Sequence, residues 1–264
     1  MTSCDSQRML ELLQQTVSLS GLGLMFGLIL LGSALQVATG VGLGLIAGPS
    51  LLYFLDSISA VQTAIILNLV LTLCLLPTEV KSISRKPLID LSLWACFGLP
   101  IGFGLLMFLE TSTLKLLGAS VVLLSVVQLK FFPAKQLSGA SSPWITRIGG
   151  SVSGAMTGAL AIPGPVALWA LLSSGTDALT TRGTLRAYFV IAYLLAFALH
   201  LGFAGAGSTI WLMSSVLIPA VLCGIAIGVF GRRFITPLHL RRLLEIVLIT
   251  MGLSLLLKGI IDVI

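Results

Sequence analysis

The sequence predicts an all-α integral membrane protein made of two inverted repeats, each a broken, re-entrant helical hairpin followed by three transmembrane helices, about eight membrane segments in all. Three observations carry this. First, hydrophobic residues make up 57% of the 264 and charged residues only 9%, with a mean hydropathy of +1.11, whereas an ordinary soluble chain carries about 25% charged residues. So few charges cannot cover a water-facing exterior, and the exterior must meet lipid. Second, residues 148–176 are charge-free yet hold Pro163-Gly164-Pro165 in their middle. Proline lacks a backbone donor and clashes with the preceding turn, while glycine accepts positive φ. A helix arriving from Gly150 therefore ends near Ile162, and another begins at Pro165. As one helix the stretch would run ~44 Å, too long for a ~30 Å crossing, and two crossings need roughly 40 residues. A re-entrant pair of half-helices fits. Third, the pattern recurs: TGVGLGLIAGPSLLYFL from Thr39 lays Gly48-Pro49 on Gly164-Pro165 at an offset of 116, with Gly42 on Gly158. A second alignment, at an offset of 126, lays Gly98 and Gly102 on Gly224 and Gly228. Internal duplication is a common transporter construction.

The elements follow in order. Residues 1–132 form the first repeat, with a broken segment over 17–55 and spans over about 57–78, 91–109 and 114–131, Lys130 snorkelling from the end of the last. The start of the chain has no basic n-region or small-residue cleavage site, so its first hydrophobic segment is expected to stay. Residues 133–143, rich in Pro, Gly and Ser, form a cytoplasmic linker. Residues 144–264 form the second repeat, with its broken segment over 148–176 and spans over about 185–204, 209–230 and 243–261, the first two turning at Gly205–Gly207.

Charge tests this arrangement. If both broken segments crossed the membrane, the 15 Lys and Arg would divide almost evenly between its sides. If each returns to its own side, twelve share one side, leaving only Arg8, Lys115 and Lys258 opposite. The positive-inside rule then assigns the twelve to the cytoplasm and the 205–208 turn to the exterior. Each half has three crossings, an odd number, so the halves are inverted. Ten segments would give the same sides.

Two halves opening with Gly-rich breaks that end in Gly-Pro or Pro-Gly-Pro, and Arg182-Gly-Thr-Leu-Arg186 leading an aromatic-rich span, resemble the TauE/SafE sulfite exporter family, also called the toluene sulfonate uptake permeases. The resemblance extends over essentially the whole chain. It implies a secondary transporter for small sulfur-containing anions such as sulfite, sulfoacetate or organosulfonates, often an exporter. Leu43, Leu45, Ala47, Ala159 and Ala161 interrupt the glycine-dense pattern of the family.

The chemistry has a basis without the family. A half-helix N-terminus presents unpaired N–H donors and roughly half a positive charge, so two of them, expected at Ser50–Leu51 and Val166–Ala167, would hold an anion near the midplane. The candidate substrate-binding residues are Gly42, Gly44, Gly48, Pro49, Ser50, Thr157, Gly158, Pro163, Gly164 and Pro165 at the breaks. The competing reading is close helix packing at small residues. Asn68, mid-span, needs a hydrogen-bond partner and should face the bundle interior, with Thr184 its equivalent at the offset of 116. Gln36 and Thr39 approach the first break. Arg186 offers a bidentate fork to an anion or an orientation charge. His200 offers proton coupling or a structural hydrogen bond.

Other classes find little here. His200 and His239 are isolated, no GxSxG or HExxH occurs, and Cys4, Cys74, Cys96 and Cys223 are scattered without ligand spacing, so neither an intramembrane enzyme nor a metal site or other cofactor is expected. The basic residues sit in short loops between apolar segments, which excludes nucleic acid as a partner. The expected partners are a small anionic substrate and the lipid bilayer of the cytoplasmic membrane, with a homo-oligomer left open. A channel or a carrier for another small solute is the alternative function.

Overall fold

The computed structural model describes residues 18–131, 143–173, 175–231 and 237–263. Among them are ten α-helices and no strand. The first hairpin is α1 (Leu19–Thr39) and α2 (Leu43–Phe54); α3 (Ser57–Leu75), α4 (Arg85–Phe108) and α5 (Thr111–Phe131) follow, with two short 3₁₀ turns between α3 and α4. The second hairpin is α6 (Pro143–Leu160) and α7 (Gly164–Ser173), followed by α8 (Ala178–Ala204), α9 (Ser208–Gly231) and α10 (Pro237–Ile261). Most of the linker 133–143 lies outside the described residues, as do Cys4, Arg8, Arg232 and Arg233.

The long helices begin earlier than the charge-free intervals do, and α4, for example, takes in Arg85 and Lys86. A charge-free run marks only the hydrocarbon part of a helix, and Lys and Arg continue it into the interface by snorkelling. Among the described residues, seven helices are long and apolar enough to cross a membrane, α1 among them. This corrects one expectation: the first arm of the first hairpin has 21 residues and is no half-helix. At 1.5 Å per residue it runs ~31 Å, the thickness of the hydrocarbon core.

Small residues set the packing. A Cβ on Gly98 or Gly102 of α4 would fall 1.9 Å from the carbonyl oxygen of Ser151 or Ala155 on α6. On α9, Gly224 and Gly228 come as close to α1, where a Cβ would fall 2.4 Å from Leu30 O and 2.7 Å from Ala34 O. In both pairs the numbers rise together, so the paired helices run in the same direction with backbones in contact, the approach that small residues permit in lipid. α3 and α8 cross in opposite directions. Gln62 Nε2 donates to Gly205 O (2.9 Å) at one end, and Glu79 pairs with Arg182 and Arg186 at the other.

These contacts enclose the short helices. Nine of the twelve residues of α2 are buried, whereas Phe97, Ile101 and Phe108 of α4, Ile227 and Phe230 of α9, and Ile246 and Leu257 of α10 point outward. Large apolar side chains on the outside and enclosed irregular backbone inside are what a bilayer demands.

Candidate functional site

The two breaks share one capping device. In the first, the αL residue Gly40 (φ 86°) closes α1 by donating its N–H to Gln36 O. In the second, Ala161 (φ 58°) closes α6 by donating to Thr157 O at 2.9 Å. A C′ residue in the left-handed region satisfying the carbonyl four residues back is a common helix end. The two capping residues are 161 − 40 = 121 apart, as are the helix starts Leu43 and Gly164 and the N-caps Asp56 and Asp177.

That spacing corrects the offset of 116 and moves the first helix start. Matching Gly-Pro to Gly-Pro equated two prolines with different roles. Pro49 lies inside α2 and Ser50 donates to Ala47 O of its own helix, so no helix begins at Ser50–Leu51. The N-terminus is at Leu43, where the N–H groups of Leu45 and Ile46 already bond to Gly42 O. The second start, at Gly164, is close to the Pro165 expected from sequence, because Pro163 cannot continue α6 and Pro165 suits the first turn of α7.

The tips pass alongside each other. A Cβ on Gly48 would fall 2.7 Å from Leu160 O, so the middle of α2 lies against the backbone of the second tip. Gly42 folds its own tip onto α1, where a Cβ would fall 2.7 Å from Gln36 N. Between the tips lies a small pocket lined by Gln36, Val41, Gly42, Gly44, Leu45, Ile162, Gly164, Phe189 and Tyr193. No charged side chain lines it. Both new helix N-termini therefore open onto one neutral cavity, and a second of similar size lies between Val41, Leu45, Ser125, Gln128, Pro165 and Leu168.

Buried hydroxyls and amides hold this geometry. Tyr188 donates to Ser153 Oγ (2.8 Å), which donates to Pro163 O (2.8 Å), fixing the second tip to α8. Tyr193 donates to Ala161 O at 3.3 Å. Asn68 donates through Nδ2 to Ala64 O (2.9 Å), leaving Oδ1 buried without a partner among the described residues. Gln128 donates to Pro165 O. Thr157 bonds back to Ser153 O in its own helix, as threonines in apolar helices do.

Other candidates lie apart from the pocket. Gly158 packs on Leu99 O of α4, and its carbonyl faces His200 Nε2 at 3.0 Å. A carbonyl only accepts, so Nε2 is the protonated nitrogen of His200, tying α8 to α6. Thr184 accepts from Ser84 N (2.9 Å) at the start of α4, and Arg186 pairs with Glu79 (2.7 Å). Both therefore belong to the basic end, away from Asn68; Arg182, beside them, also donates to Val37 O. Sequence reasoning missed Phe189 and Tyr193 as lining residues. The aromatic-rich character of their span was visible, but nothing in it says which ring faces a break.

Long apolar helices around enclosed, broken hairpins define a multi-pass membrane protein with a small internal pocket. The chain belongs to the TauE/SafE sulfite exporter family. Residues 25–255 match the model of that family, described as sulfite exporter TauE/SafE, and the match takes in both breaks and the pocket. The family is one of membrane transporters for sulfite and related sulfur anions. No curated protein and no solved structure matches the chain.

Proposed function

We propose that the protein is a secondary transporter that exports small sulfur-containing anions, of the sulfite, sulfoacetate or organosulfonate class, across the cytoplasmic membrane. The anion is held between the N-terminal turns of α2 and α7. The observation that carries this reading is the neutral pocket onto which both turns open. Each turn offers N–H donors and about half a positive charge, which suits a small anion without a fixed cation in the wall.

An inverted repeat explains the rest of the arrangement. α1–α5 and α6–α10 follow each other element for element, and their packing is reciprocal: α4 lies on α6 and α9 on α1. The charges support the same orientation. Lys81, Arg85, Lys86, Arg147, Arg182 and Arg186 mark the cytoplasmic side, while Lys115 and Lys258 lie at the other end, bound to Asp262 and to the Tyr53 carbonyl. Such repeats rock against each other around a central site.

Liposomes containing the purified protein test the reading. Labelled sulfite, or an organosulfonate, should cross with saturable kinetics and should not cross protein-free liposomes. Flux of cations without anions would reject this function and favour a channel or another carrier.

A further inference from the structure

Beside Gly44, three oxygens border one space. An ideal Cβ there would stand 3.1 Å from Tyr193 Oη, 3.5 Å from Asn68 Oδ1 and 3.8 Å from Ala161 O. All three residues are buried, at 1% exposure or less. The Asn68 amide is oriented by its Nδ2 bond to Ala64 O, which turns Oδ1 toward Gly44, and Oδ1 has no hydrogen-bond partner among the described residues. The Tyr193 hydroxyl donates to Ala161 O, so its own lone pairs stay available. Ala161 O belongs to the left-handed residue at the second tip and lies outside the helical ladder.

This is a cluster of acceptors, the wrong chemistry for an anion. It adjoins the pocket, since Gly44 and Tyr193 also line that cavity. An unpartnered amide oxygen, an unwound backbone carbonyl and a hydroxyl are hard, neutral oxygen donors, the kind that coordinate alkali cations at broken membrane helices. The set contains no carboxylate, which favours a monovalent over a divalent ion. We propose that Gly44, Asn68, Tyr193 and Ala161 form a sodium-sized cation site next to the anion pocket, and that the cation and the transported anion bind cooperatively. The inference of cooperativity rests on the anion-transport reading above; the cation site itself does not. A side chain at position 44 would project into the space that these oxygens border. Neighbouring opposite charges attract most strongly in a buried site, and by linkage each ligand must raise the affinity of the other by the same factor.

The test is the melting temperature of detergent-purified protein titrated with sodium chloride, with choline chloride holding ionic strength constant, in the absence and presence of sulfite. Sodium, unlike choline, should raise the melting temperature with saturation, and should lower the apparent Kd of sulfite at least about fivefold. Gly44→Ala should abolish the sodium response: the tightest contact of the new methyl is with the end of the Tyr193 side chain at 3.1 Å, and Asn68 Oδ1 and Ala161 O stay at ordinary contact distances of 3.5 and 3.8 Å, so the fold should survive. Tyr193→Phe and Asn68→Leu keep the packing volume and should each weaken the sodium response about tenfold, which guards against a folding failure in any single variant. Identical sodium and choline curves in the parent protein, or variants that keep the parent sodium response, would overturn the site and leave a bound water as the occupant. A sodium response without any sulfite binding would uphold the site and remove the sulfite-transport reading. Sulfite binding that ignores sodium would uphold the sulfite reading and overturn the cooperativity.

Discussion

Gly40 and Ala161 do the same work in opposite hairpins, closing a helix from the left-handed region with the same backbone hydrogen bond. Their surroundings differ. A Cβ on Gly40 would meet nothing within 4 Å, whereas Ala161 is fully buried between α2 and α8. An L side chain in the left-handed region costs about 1–2 kcal/mol. The second tip tolerates that strain because its carbonyl accepts from Tyr193 and its methyl is packed; the first has no such support and uses glycine. The continuations differ as well. After Ala161 come two prolines flanking Gly164, which remove two backbone donors from the second site. The first tip keeps all of its N–H groups, and its proline lies well inside α2. If the pocket binds an anion, the first hairpin supplies more donors and the second supplies the fixed wall.

The broadest way to break this comparison is to show that the hairpins do not enter from opposite faces. On a background lacking the four native cysteines, a cysteine at Gly207 should label on intact cells, and cysteines at Ser84 or Thr181 only after permeabilisation. External labelling at both Gly207 and Thr181 would end the inverted arrangement. Next in size is the contact of the two tips. Gly48→Ala puts a methyl 2.7 Å from the Leu160 carbonyl and should suppress anion flux about a hundredfold or more, while Gly164→Ala meets only Phe189 and Val41 side chains, 3.6 and 3.8 Å away, and should stay within about threefold of the parent. The glycine-rich sequence alone suggests that the two positions are equally sensitive; the structure separates them.

The caps should respond unequally. Gly40→Ala gains no contacts and incurs the left-handed penalty, so it should cost about 1 kcal/mol of stability, read as a lowered melting temperature. Ala161→Gly relieves the same strain but gives up a packed methyl, ~0.8 kcal/mol, and adds unfolded-state freedom, so it should be close to neutral. The smallest effect belongs to Asp262, whose carboxyl is held below its ordinary value of 3.8, chiefly by the hydrogen bond from Lys115. A lowered pKa means that its contribution is present at neutral pH and is lost only as pH falls through the depressed value. Asp262→Asn should therefore lower the melting temperature slightly at pH 7 and make no difference at pH 2.

The all-helical, membrane-spanning character was legible in the sequence, because bilayer thickness acts on the whole chain at once. Proline and glycine at 163–165 located the second break to within two residues. The first break was placed too late: Gly48-Pro49 looks like the stronger interruption, yet an apolar helix enclosed by neighbours can carry a proline, while the chain turned at Gly40, where a left-handed residue was required. The pocket was legible only in part. Gly42, Gly44 and Gly164 could be named from the repeats, but Tyr193, Phe189 and the pairing of Arg186 with Glu79 depend on the rotation of α8 about its axis. A uniformly apolar helix has no polar face to reveal that rotation.

The central claim is that the overlapping tips make the anion site, and it is tested most directly by measuring sulfite flux and melting temperature on the same purified preparations of the parent, Gly48→Ala and Gly164→Ala proteins. The account predicts that Gly48→Ala melts cooperatively yet carries almost no sulfite, while Gly164→Ala transports near the parent rate. A folded Gly48→Ala protein transporting at the parent rate would contradict it, because a methyl in the Leu160 carbonyl must part the two tips.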